Sequence, residues 1–195
     1  SAYRTVASYL FPSTKATNEL KEFFNNYQKL GKRPIPLVAN YWENWLTNQH
    51  PYINQLLNQG ADPNAAAHSL SLLSMAIAYK DTALIDILRN SRIRTLFNIK
   101  NAQGVPYWFN ADERMSDYLL KLGLVDVNQK DDYGDTALIF SLNNLNQNNY
   151  YYGGIPNNKE KIQTLLKYNA DPSIPNKQGE TAVGIAQRKR LPADI

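Results

Sequence analysis

One phrase occurs twice in this chain, and its recurrence limits the fold more than any other feature. Asp131-Asp132-Tyr133-Gly134-Asp135-Thr136-Ala137-Leu138 returns as Asn176-Lys177-Gln178-Gly179-Glu180-Thr181-Ala182-Val183. Each copy reads as a hairpin tip followed by a helix start. Gly134 supplies the positive φ that a tight turn needs. Thr136 can cap the next helix through its hydroxyl, and Ala137-Leu138 opens an apolar face. A second phrase recurs as well: Leu56-Leu57-Asn58-Gln59-Gly60-Ala61-Asp62-Pro63-Asn64 is matched by Leu165-Leu166-Lys167-Tyr168-Asn169-Ala170-Asp171-Pro172. Returning phrases of this kind describe similar units, each burying its apolar flanks on its neighbours.

Together the two phrases resemble the ankyrin repeat, whose pattern is D-x-x-G-x-T-P-L-H-x-A-A, then a second helix, then L-L-x-x-G-A-D-x-N, over about 33 residues. The marker positions Ser71, Pro106, Thr136 and Thr181 are 35, 30 and 45 residues apart. Only the last interval departs far from the repeat length, and its excess maps to residues 143–158. There Asn148 through Pro156 is polar, aromatic and rich in breakers, which marks an excursion from the stack. The resemblance spans roughly residues 36–190; it is strongest in repeats four and five and weakest in repeat three. It implies an all-α ankyrin-repeat solenoid of about five repeats over 34–195, an N-terminal helical cap over 1–33, and a concave side where partners dock.

Along the chain, Tyr3, Val6, Tyr9 and Leu10 fall at helical spacing, and Phe11-Pro12-Ser13 ends that piece. A second helix is predicted from Thr17 to Leu30, with Gly31 as its C-cap. Repeat one is expected to have an inner helix carrying Trp42, Trp45 and Leu46, and an outer helix opened by Pro51. His50 then falls at the turn between them, and Gly60 stops the second. Repeat two has Ser71 in the threonine place and an outer helix with Leu84, Ile85, Ile87 and Leu88. Repeat three departs furthest: Pro106 replaces threonine, and the outer helix near Met115 to Leu122 reads about one turn short. Repeat four points Leu138, Phe140 and Leu142 inward. Repeat five has Thr181, Val183, Ile185 and Ala186, and breaks at Pro192.

Composition narrows the chemistry. A hydrophobic content of 43% with 19% charged residues is that of folded protein. With no cysteine, disulfides, thiolate zinc sites and a cysteine nucleophile are excluded. No apolar run approaches the length of a membrane span. The chain starts at Ser1 without a methionine, as a processed or truncated form would. The net charge of +4 is mild. Its local basic runs, Arg89 to Lys100 and Arg188-Lys189-Arg190, lack interleaved aromatics and read as solvated faces rather than a nucleic-acid site. The two histidines, His50 and His68, sit in no catalytic pattern. Asp131, Asp132 and Asp135 lack the ligand spacing of a calcium loop. No cofactor or metal is expected.

Binding is therefore the expected activity, with another protein as partner. In ankyrin proteins the tips escape the packing constraint, which leaves their chemistry free. The corresponding positions here are Ala102, Gln103, Asp132, Tyr133, Asp135, Lys177 and Gln178, while Asp131 braces its hairpin. Tyr133 leads them, because an aromatic on a rigid turn offers much contact area for little lost entropy. Tyr150, Tyr151 and Tyr152 form a second candidate; they either fold back over the helices or present a contact patch. Tyr107, Trp108 and Phe109 stand beside the groove, with Trp108 in the place of a buried leucine. Small ankyrin chains of this type resemble bacterial immunity proteins that block a cognate toxin, or secreted effectors and scaffolds that bind other proteins. The immunity reading is preferred because no other domain is fused to the array. A third reading places an enzyme in the N-terminal segment. A monomer is expected, in the bacterial periplasm or cytoplasm, or secreted in the effector case.

Overall fold

Hydroxyl and carboxylate caps decide where most of the helices begin. In the computed structural model, which describes residues 11–32, 40–145 and 158–191, the side chains of Ser13, Ser71, Asp81, Asp112, Thr136 and Thr181 each accept the backbone N–H three residues on. Each satisfies a helix N–H that would otherwise lack a partner, for roughly 1 kcal/mol. Ser71 goes further, forming a reciprocal capping box with Ser74. The chain divides into two compact units, Ser1–Leu96 and Phe97–Ile195.

The first unit runs α1 (Thr14–Gly31), α2 (Tyr41–Asn58), a hairpin of β1 (Ala66–Ala67) and β2 (Leu70–Ser71), α3 (Leu72–Ala78) and α4 (Thr82–Arg89). The expected helix break at Pro51 does not occur: α2 continues through His50 and Pro51. A proline inside a helix loses a backbone hydrogen bond and costs about 3 kcal/mol. Burial outweighs that loss, because Leu46, Ile53, Leu56 and Leu57 form one unbroken apolar stripe, each at most 2% exposed. In consequence α2 packs on α1 instead of folding into a helix pair of its own. His50, mid-helix, holds Nε2 2.6 Å from Asp81 Oδ2, while Asp81 Oδ1 caps Leu84, so one carboxylate ties α2 to the start of α4. Gly31 is not the expected cap either; it is the last helical residue, and Lys32 follows in the right-handed region. Gly60 does stop α2, at φ +93.

The hairpin tip contains no glycine. His68 and Ser69 both take positive φ, 54° and 63°, as a two-residue turn between right-twisted strands requires. His68 is held by α1: its Nε2 lies 2.6 Å from Asn25 Oδ1, and its carbonyl accepts from Gln28.

The second unit runs from a single 3₁₀ turn (Tyr107–Asn110) through α5 (Glu113–Lys121), α6 (Ala137–Asn143), α7 (Asn158–Lys167) and α8 (Ala182–Arg188). Here α7 packs on α5 and α6, and α8 packs on α6. The shortening of repeat three falls on its inner segment, not on its outer helix. Helix α5 has nine residues against ten in α7. The inner segment is one turn because Trp108 and Phe109 are already fully buried within it, after which Ala111 extends and Asp112 caps α5. Trp108 takes the core role: its Nε1 donates to Gln129, whose amide donates to the Asn98 carbonyl. Val183 is 45% exposed beside the buried Ala182 and Ile185.

Lys161, on α7, is 1% exposed and donates to the Phe109 carbonyl. Burial pushes its amine down to about 7, opposed by the nearby Asp112 charge. Below that pH the fold carries a buried ammonium at full cost. Between about 7 and the free-lysine value near 10.4 the unfolded chain holds a proton that the fold has released, so stability rises with pH there. Lys161→Met is expected to remove this rise. The stability difference between variant and parent, from urea unfolding at pH 6.5 and 9.5, should change by about 3 kcal/mol. Parallel profiles would contradict the assignment.

Candidate functional site

Three hairpin tips of the second unit are built alike from their first side chain upward. Asn101 Oδ1 accepts from Gln103 N and Val105 N, both at 3.0 Å. Asp131 Oδ1 accepts from Tyr133 N at 2.9 Å and Asp135 N at 2.8 Å. Asn176 Oδ1 accepts from Gln178 N at 3.0 Å and Glu180 N at 2.9 Å. A short side chain with one well-aimed oxygen satisfies two turn amides, which is why Asn and Asp interchange at this position. Asp131 is accordingly buried, and bracing is its role.

The tips are also joined backbone to backbone. Asp132 N donates to the Gly104 carbonyl at 2.9 Å, and Lys177 N donates to the Tyr133 carbonyl at 3.1 Å. Such an approach leaves no room for a side chain at the preceding glycine. A Cβ on Gly104 would stand 2.2 Å from Asp132 Oδ2, and one on Gly134 would stand 2.8 Å from Lys177 N. The glycines thus serve both the positive φ of the turn and the close contact between tips.

With backbone and bracing residues satisfied, the remaining side chains project outward. Gln103, Lys177 and Gln178 are exposed, and Tyr133 is 55% exposed. Asp132 is exposed but engaged, accepting from Lys100 Nζ at 2.7 Å, and that contact holds its carboxyl below the usual range. Asp135 is half-buried and accepts from Asn176 Nδ2 at 2.8 Å; burial raises its carboxyl, with the Asp131 and Glu180 charges adding to the effect. Tyr107 is half-buried at the start of the 3₁₀ turn. Tyr150, Tyr151 and Tyr152 lie outside the described residues.

A different feature, absent from the sequence-based candidates, lies in the first unit. Between α1 and α2 runs an open groove with Phe23, Trp45 and Tyr52 in its wall. Its signal in the sequence is the spacing of Trp45, Gln49 and Tyr52 along one helix face. Assigning Trp45 to a core-facing inner helix hides it.

No family model matches the chain, and no curated protein matches its sequence. A solved structure does match: the crystal structure of EF0377, an ankyrin repeat protein, aligns with a TM-score of 0.57 and 22% identity over 90% of this chain and 89% of that one. At that identity the likeness establishes the fold, which is the all-α ankyrin-repeat fold.

The doubled role of Gly134 separates it from Gly179, which has positive φ but nothing within 4 Å of a built Cβ. Gly179→Ala should cost about 1–2 kcal/mol for left-handed backbone alone. Gly134→Ala should cost at least about twice as much in the same denaturant titration. Equal losses would show that the tips can part without penalty.

Proposed function

We propose that this chain is a non-enzymatic protein-binding module whose contact surface is the tip row of the second unit. The observation that carries this reading is the division of labour within each tip. Asn101, Asp131 and Asn176 brace the turns, and glycine permits the approach between tips. Gln103, Tyr133, Lys177 and Gln178 are left exposed on backbone already fixed by hydrogen bonds. The backbone beneath these residues is already fixed, so a partner that covers them orders only side chains, and Tyr133 with its two rotatable angles loses least. Tyr133 is the anchor, with Asp132 and Asp135 beside it and Tyr107 at the inner edge. Tyr150, Tyr151 and Tyr152 would extend the same contact.

The partner we infer is a cognate toxin, held inactive by occlusion, as in bacterial immunity proteins. Support for this finer reading is the form of the surface: a rigid ridge of mixed charge led by one aromatic suits insertion into, or closure over, a partner's cleft. A secreted effector or a scaffold would use the same residues but leave its partner active. Capture with the full chain from its native source, followed by an activity assay of the co-purified protein with and without this chain, separates the two. Restored or unaffected activity in the complex would remove the immunity reading.

Tyr133→Ala is expected to weaken binding of the captured protein by more than about 1 kcal/mol in calorimetry, with an unchanged melting temperature. Leu165, fully buried in α7, gives the opposite pattern: Leu165→Ala should cost about 2–5 kcal/mol of stability. A Tyr133→Ala protein that melts early would make that side chain structural.

A further inference from the structure

We propose that the groove between α1 and α2 is a second docking site, which receives an arginine side chain from a basic segment of a partner protein. This surface belongs to the first unit and shares no residue with the tip row. It has a volume of about 340 Å³, open to solvent, with Phe23, Trp45 and Tyr52 along its wall and Glu19 and Glu22 at its rim.

The chemistry of the wall selects the occupant. Within that wall Phe23 is buried and stacked against Trp45, with ring centroids 5.6 Å apart and planes 18° from parallel. Tyr52 lies 6.4 Å from Phe23 and is 41% exposed. The edge-to-face contacts of Tyr27 with Trp42 and of Trp42 with Trp45 hold this wall from behind. Aromatic faces are negative and attract a cation laid over them. The rim adds charge of the same sign. Glu19 and Glu22 come one turn apart on α1, so their side chains fall on one face with Phe23.

What already touches the rim leaves that charge available. Glu22 accepts from Asn25, and among the described residues its cation partner is Lys29 at 3.8 Å, with both side chains more than half exposed. An exposed pair at that distance is worth little and gives way readily. Among the described residues Lys167 is held over the ring of Tyr168, in the other unit. Anionic ligands are repelled by the rim, and an uncharged apolar residue would gain nothing from its carboxylates. Arginine suits the site better than lysine, because its planar guanidinium stacks on an aromatic face and offers paired donors to a carboxylate.

The test is direct titration of the full chain with a Gly-Gly-Arg-Arg-Gly amide peptide carrying fluorescein on its N-terminal amine, read by polarisation at low salt. Its arms are the lysine and citrulline versions of the same peptide. The arginine peptide should bind at least tenfold more tightly than the citrulline peptide, with lysine between them. The rim variant Glu19→Gln with Glu22→Gln should weaken arginine binding at least fivefold at an unchanged melting temperature, and Trp45→Leu should weaken it further. Tyr133→Ala should leave it untouched, which keeps this site's failure distinct from that of the tip row. Equal binding of arginine and citrulline peptides, no binding of either, or full binding by the rim variant would overturn the proposal.

Discussion

Turn amides without a strand partner need an acceptor that holds them in place, and meeting that need shapes the second unit. One side-chain oxygen at each tip accepts two backbone N–H groups, and this fixes the turn before any packing is considered. The turn in turn places Thr136 or Thr181 where its hydroxyl starts the following helix. A helix of only seven residues, as α6 and α8 are, is marginal by itself and depends on such a start and on burial. Tip, cap and short helix are therefore one physical chain of causes. The hydrogen bonds from Asp132 to Gly104 and from Lys177 to Tyr133 extend it from tip to tip.

Where local preference and burial conflict, burial wins in both units. Helix α2 retains Pro51 because its apolar stripe is worth more as one surface than as two. The inner segment of repeat three stops after one 3₁₀ turn because Trp108 and Phe109 fill the space there. Lys161 is the counterexample in sign: a cationic side chain is held in the core, and the cost appears as a depressed affinity for its proton. The Tyr27 and Tyr79 hydroxyls share a hydrogen bond in the first unit, and burial raises the Tyr79 phenol above its ordinary value. Each such group ties two elements together through polar contact instead of apolar area.

The two candidate surfaces differ in how they are made. The tip row is a product of backbone geometry: the turns are fixed, and whatever side chain occupies the outer position is presented. The α1–α2 groove is a product of side-chain packing between two long helices, with Phe23 and Trp45 stacked across the contact. The first kind is readable from a short phrase, since turn chemistry is local. Tyr133, Lys177 and Gln178 could be placed outward from Gly134, Gly179 and their bracing neighbours alone. The second kind is not, because it depends on which helix lies against which. Taking Pro51 as a helix start put Trp45 in the wrong partnership and concealed the groove.

By itself the sequence determined the repeat, the turns and the caps, for Asn101, Asp131, Asn176, Ser71, Thr136 and Thr181 act through hydrogen bonds that span two to four residues. The tertiary structure alone decided that α2 is continuous, that repeat three is shortened on its inner side, that Val183 faces outward and that Lys161 is buried. Each of these outcomes turns on apolar area buried against a distant segment. That quantity is not written in any local stretch, and it exceeds the 1–3 kcal/mol by which local preferences differ.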